Sequence, residues 1–284
     1  MKYWLVLKNK LNHQIEFAIQ LLLLFVGVYC MVLAEASGIW KIPIIVIGLF
    51  SWLVLRQKFR HPIIWIVFFI LLCIDLLQSY FLVANHHFML IFIVLSILLY
   101  KYHERSDVLV RNVQLLMVIV VITSVIQKLT SAQFMSGNFY YYNINTGSFF
   151  KYLTNLFPEN LGIMRDNSEH ILALKNIDPN LYPKFTMQDA VQNLALLSVV
   201  FAWTTIVLEL LIAFAIFFKP NHKRTHVLLL VMIIGILFTR LETGFMALLS
   251  ICGLFLCSTT KLKIIYVIVA IGCVVLIISK IGYH

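Results

Sequence analysis

Thr123–Gly137, TSVIQKLTSAQFMSG, is the stretch from which the rest of the chain is read. An apolar run ends there on Lys128, and the polar, aromatic-rich segment 129–189 follows before apolar sequence resumes. A bilayer-spanning helix needs roughly 17–25 mostly apolar residues, because its backbone must satisfy its own hydrogen bonds across ~30 Å of hydrocarbon. Working outward from Lys128, the stretches 15–35, 39–55, 62–82, 86–100, 108–128, 190–218, 225–240, 241–259 and 263–280 meet or approach that length. They predict an all-α integral membrane protein, a polytopic bundle of about nine transmembrane helices in one domain, 1–284. Residues 129–189 form an extracytoplasmic cap between helices five and six. The seventh and eighth stretches are parted only by Arg240-Leu241-Glu242, so they are either two spans or a re-entrant pair.

Composition points the same way. The chain is 62% hydrophobic and 12% charged, with a mean hydropathy of +0.95. Soluble domains carry roughly 45–50% apolar and about 25% charged residues. The net charge of +10 would suit nucleic acid if it formed one patch. Instead, small groups of cations alternate with the apolar runs, as cytoplasmic loops do. An N-terminus in the cytoplasm places Lys2, Lys8, Lys10, Arg56, Lys58, Arg60, Lys101, Arg105, Arg111, Lys219, Lys223, Arg224, Lys261 and Lys263 inside. The cap and His284 then face outward, in a cell (inner) membrane. No nucleic-acid partner is expected; membrane lipids are.

Lys8 and Lys10 precede an apolar run ending in Ala34-Glu35-Ala36, which has the look of a signal-peptide cleavage site; the many later spans favour a retained first helix. Cys30, Cys73, Cys252, Cys257 and Cys273 lie in or beside apolar stretches and form no CxxC, so neither a disulfide scaffold nor a cysteine-based zinc site is expected. In the cap, Phe139, Tyr140, Tyr141, Tyr142, Phe149 and Phe150 favour an ordered layer at headgroup level. Short helices are expected at 148–156 and 168–175, with Pro158, Pro179 and Pro183 as breaks. Thr186-Met187-Gln188-Asp189 has the spacing of a capping box and is expected to open the sixth membrane helix.

Charged side chains at membrane depth are costly, by about 2.5 kcal/mol or more at mid-bilayer, so each is a functional candidate. Glu209 sits mid-helix in AWTTIVLELLIAF, and Asp75 lies in the third apolar stretch. Lys128, after Gln127, ends the fifth; a partly desolvated lysine there can act as a base or hold an anion. Arg240 and Glu242 bracket the turn between two apolar runs, where they can satisfy one another, and Arg240 or Lys128 is the natural partner of Glu209. His86 and His87 are adjacent, so on a helix their side chains diverge by about 100° and suit one metal poorly. His170 lies in the cap, and no metal site is expected. HExxH, GxSxG and phosphate-cradling glycine loops are absent from the sequence.

With these residues in place, SVIQKLTSAQFMSG resembles a signature of the HTTM family: an apolar run into Lys-Leu, then an aromatic, then glycine. That family comprises the membrane domain of vitamin K-dependent gamma-carboxylase and its bacterial relatives. IVLELLIAFAIFF is similar to the family's acidic helix, and HKRTHVLLLVMIIGILFTRLETGFMALLSICGLFLCS to its last signature, a basic turn followed by an apolar and a Gly-centred helix. The resemblance implies Lys128 as a catalytic base, with Phe134 at a position usually tryptophan, and Glu209 at the acidic position. It does not extend to the carboxylase's lumenal domain, and Ile234 stands near where the family often has histidine.

The expectation is therefore an HTTM-like protein whose outward cavity handles a lipid or peptide segment, in maturation or export of a secreted peptide beside a companion protein. Gln127, Asp75, Arg240 and Glu242 would furnish the cavity, and Phe134, Tyr140, Tyr141 and His170 its roof. Two other classes stay open: a DoxX-like quinone-linked redox subunit, with quinone as its cofactor, and a non-catalytic assembly subunit. Whether the protein is an enzyme is undecided at this level.

Overall fold

The computed structural model describes residues 12–54, 62–78, 80, 85–150, 158–174, 178 and 186–279, and among these it contains helices and no strand. The cations expected at 2–10, 56–60, 175 and 184, and most of the helix expected at 148–156, lie outside them. In chain order the helices are α1 (Gln14–Ser37), α2 (Lys41–Val54), α3 (Ile63–Gln78), α4 (Asn85–His103), α5 (Ser106–Thr130) and α6 (Ala132–Met135). Then come α7 (Asn138–Asn145), α8 (Pro158–Leu174), α9 (Leu194–Phe218), α10 (Lys223–Arg240), α11 (Thr243–Leu256) and α12 (Thr260–Ile278). Five of them, α1, α4, α5, α9 and α12, are long and apolar enough to cross a membrane. The apolar helices α2, α3 and α11 are shorter, and α10 carries Lys223, Arg224 and Arg240 at its ends.

The chain forms two compact units. The first comprises residues 1–121, 212–234 and 242–284. Its centre is α11, a helix apolar on all sides and therefore buried on all sides; every residue but Phe245 is shielded. Around it stand α1, α4 and α12, and α1 also packs on α2 and α3. Gly253 is required here, because a Cβ would sit 2.6 Å from the Tyr266 ring of α12. The freed ring is fully buried, and its hydroxyl lies 3.1 Å from His226 Nδ1. At one end of this unit the Gln14 amide donates to the Leu254 and Phe255 carbonyls, Ser258 to the Asn221 carbonyl and Gln114 to the Ile216 and Phe217 carbonyls. The start of α5 and the α9–α10 and α11–α12 turns therefore meet there.

The second unit comprises residues 122–211 and 235–241. It holds the last turns of α5, most of α9 and the segment between them. Ser131 caps α6, its hydroxyl accepting from Phe134 N at 3.3 Å. Gly137 follows with φ 78°, and a Cβ on it would come within 2.7 Å of Val199 N. Both the left-handed turn and the close approach to the α9 backbone demand glycine.

Two expectations in this unit are corrected. The segment 186–190 is non-helical, and α9 begins at Leu194 instead of residue 190. The buried Asn145 and Asn167 take the backbone that the capping box would have used. Asn167 Oδ1 accepts from Gln188 N at 3.0 Å, its Nδ2 donates to Gln188 O at 2.8 Å, and Asn145 Oδ1 accepts from Ala190 N at 2.8 Å. The helix expected at 168–175 instead runs from Pro158 to Leu174. Proline at the first helical position has no amide to waste and a preset φ, so Pro158 opens the helix it was expected to break.

Candidate functional site

Helical periodicity aims the two charged residues of the second unit at each other. On α5, Met117, Val121, Val125 and Lys128 recur at three- and four-residue spacing, and the first three are buried. On α9 the buried stripe is Ser198, Ala202, Ile206, Glu209, Ala213 and Ile216, while Val207, Leu210 and Leu211 are exposed. Glu209 thus occupies a core position of its helix, and Lys128 continues the core stripe of α5 at its last turn.

The two side chains meet. Lys128 Nζ lies 2.7 Å from Glu209 Oε1, 2.6 Å from Oε2 and 2.6 Å from Ser124 Oγ, one turn back on α5. Ser124 Oγ in turn reaches Glu209 Oε2 at 3.3 Å. The ammonium has three protons and finds three acceptors. The lysine side chain is 14% exposed and the glutamate 7%, so the pair is largely dry without being sealed. Phe134 covers it, its ring centre 5.7 Å from Nζ, packed with Val125, Ala202 and Ile206.

Beside Phe134 the aromatics of α7 and of the turn after it form a continuous layer. Phe139, Tyr140 and Phe149 contact one another edge-on at 5.5–5.6 Å between ring centres, and Tyr140 donates to or accepts from Thr205 Oγ1 at 2.6 Å. Arg240 belongs to this layer, its guanidinium 5.2 Å from the Phe139 ring and 5.9 Å from Phe149. Of the two expected partners of Glu209, Lys128 is the one in contact. Tyr141 donates to Asp189 at 2.5 Å, and this hydrogen bond pushes its phenol above the usual tyrosine range. Gln127 lies on the exposed side of α5, and His170 is exposed on α8.

Asp75 belongs to a different centre, in the first unit. Lys41 Nζ lies 2.5 Å from Asp75 Oδ1, with both side chains 1% exposed, and donates to Gln78 at 3.2 Å. In the same unit His87 is clamped between the Tyr29 hydroxyl at 3.0 Å and the Leu72 carbonyl at 2.9 Å. His86 stacks on Phe245. Sequence reading placed Lys41 inside the second apolar stretch, 39–55, and did not name it as a partner. A lysine buried among Ile and Trp at the start of an apolar helix, with a carboxylate in the next apolar stretch, was the available signal. Glu242 directly precedes α11, its carbonyl accepting from Met246 N. Among the described residues no three His, Cys, Asp or Glu side chains converge as a metal set.

Chemically, the Lys128 centre can hold charge or move a proton. While the ammonium donates to three acceptors it has no lone pair to offer. Passing a proton along the 2.6–2.7 Å contacts to Glu209 leaves a neutral amine and a neutral acid, which apolar surroundings tolerate better than an unpaired charge. The chain matches no protein-family model, no curated protein and no solved structure.

Proposed function

We propose that the chain is an HTTM-like multi-pass membrane protein of nine membrane-inserted helices, with residues 129–189 and the C-terminus outside. Its Lys128–Glu209 centre, beneath the Phe134–Tyr140 roof, handles a lipid or peptide segment entering from the outer side of the bilayer. The process served is maturation or export of a secreted peptide beside a companion protein. The observation that carries this reading is the largely desolvated ion pair itself, since charges taken out of water inside an apolar bundle are costly and mark function by default. Lys128 supplies the charge or, after proton transfer to Glu209, the basic amine; Ser124 keeps Nζ oriented.

The full use of the Nζ protons favours a second reading, in which the pair only ties α5 to α9 in a non-catalytic assembly subunit. Mass spectrometry of lipids and peptides co-purifying with wild type, Lys128→Ala, Glu209→Gln and Lys128→Arg separates the two. The handling reading expects a bound lipid or peptide in wild type that is lost from Lys128→Ala and Glu209→Gln; retention in Lys128→Arg assigns Lys128 the charge-holding role, and loss there the role of the basic amine, because arginine keeps the charge but cannot release its proton. Identical co-purifying sets, with normal folding, would leave the assembly reading standing.

A further inference from the structure

The first unit holds a cleft of about 350 Å³ that neither ion pair uses, between the opening turns of α5 and the α9–α10 turn. Arg111, Gln114 and Asn221 form its polar side, and Leu115, Phe217 and Leu256 its apolar side. The Gln114 amide is already committed to the Ile216 and Phe217 carbonyls. Asp107, the acidic residue in the lining, is held by Arg105 through contacts of 2.8 and 3.4 Å. Arg111 makes no ion pair or side-chain hydrogen bond with any described residue, and nor do Lys219, Lys223 and Arg224 at the adjoining turn. The cleft therefore joins uncompensated positive charge to an apolar wall. That wall runs on into the exposed Leu115, Phe217 and Phe218, which are 38%, 50% and 69% accessible.

A ligand that satisfies both halves carries an anionic group beside a hydrocarbon chain. We propose that this cleft seats an anionic phospholipid, its phosphate on Arg111 and its acyl chain along Leu115 and Phe217. The inference rests on the membrane reading above, which places this cation-rich end at the cytoplasmic surface. Basic pockets between membrane helices on that side suit acidic headgroups. Inorganic phosphate would satisfy Arg111 and leave the apolar wall bare.

The test is native mass spectrometry of delipidated protein in detergent, titrated with phosphatidylglycerol, phosphatidylcholine or sodium phosphate. Phosphatidylglycerol is expected to be retained over phosphatidylcholine. Arg111→Gln is expected to lower that retention about tenfold, the factor for the ~1.5 kcal/mol of one hydrogen bond to a charged group. Leu115→Trp, which blocks the apolar wall at unchanged charge, lowers it as well, whereas Lys261→Gln, a cation at the same end outside the lining, leaves it unchanged. Circular dichroism verifies that each variant is folded. Equal losses in Arg111→Gln and Lys261→Gln would reduce the effect to diffuse attraction and overturn the site, as would equal retention of the two lipids or displacement of phosphatidylglycerol by phosphate alone. Failure of the membrane reading has a different signature, a monodisperse protein in detergent-free buffer.

Discussion

A buried ion pair is weak evidence for stability and strong evidence for mutual dependence. Removing one partner of such a pair strands the other and typically costs about 3–5 kcal/mol, whereas replacing both with apolar residues is often neutral or stabilising. Lys128→Ala is accordingly expected to lower thermal stability in detergent strongly, and Lys128→Leu with Glu209→Leu to restore most of it, while function is lost in both. A double variant as unstable as the single would show that the pair contributes net stability. Tyr141 carries the pH dependence that stands outside the membrane helices. Its phenol titrates above the value of 10.0 usual for tyrosine, because Asp189 accepts its proton in a hydrogen bond. The contribution to stability is therefore fully present below that value and is lost as pH rises through the higher, folded one. Tyrosinate absorbance should lose a late-titrating phenol in Tyr141→Phe; an unchanged titration would rule out the assignment.

At the scale of elements, apolar length made the helices legible. The nine stretches picked out from sequence coincide with α1–α5 and α9–α12 to within a few residues at most described ends, although only five of them reach spanning length and apolarity together. A charge inside an apolar run made the need of Glu209 for a partner readable, and Lys128 was one of the two cations named for it; the buried stripes that bring the two together belong to the fold. What stayed hidden depends on partners distant in sequence. Lys41 meets Asp75 across 34 residues; each is a charge in an apolar stretch of its own, and only the fold pairs them. Thr186–Asp189 looks like a cap by spacing, but Asn145 and Asn167, 45 and 21 residues from the atoms they hold, override it. Asn167→Ala should therefore raise amide hydrogen exchange over residues 186–193 while exchange in the last turns of α5 is unchanged. Protection persisting at 186–193 would contradict the pinning role of Asn167.

For the whole molecule, the proposed topology assigns a side to each end of α9. A single cysteine at Asn221 should react with membrane-impermeant maleimide only after the cell is opened, and one at Ser136 in intact cells. The same side for both would refute α9 as a span. Native thiols interfere little, because Cys30, Cys252, Cys257 and Cys273 are buried and Cys73 is partly so. The all-round burial of α11 has a consequence for how the protein is made. Its 14 residues span about 21 Å at 1.5 Å per residue, short of the ~30 Å hydrocarbon layer. An emerging chain that presents this segment to lipid finds no stable resting place for it until a neighbour arrives. Of its packing partners, α1 and α4 precede it on the ribosome, but α12, its most extensive contact, follows. Insertion of α11 is therefore expected to be delayed and paired: chains arrested before residue 260 should leave it extractable or protease-sensitive, and synthesis of α12 should lock it in place.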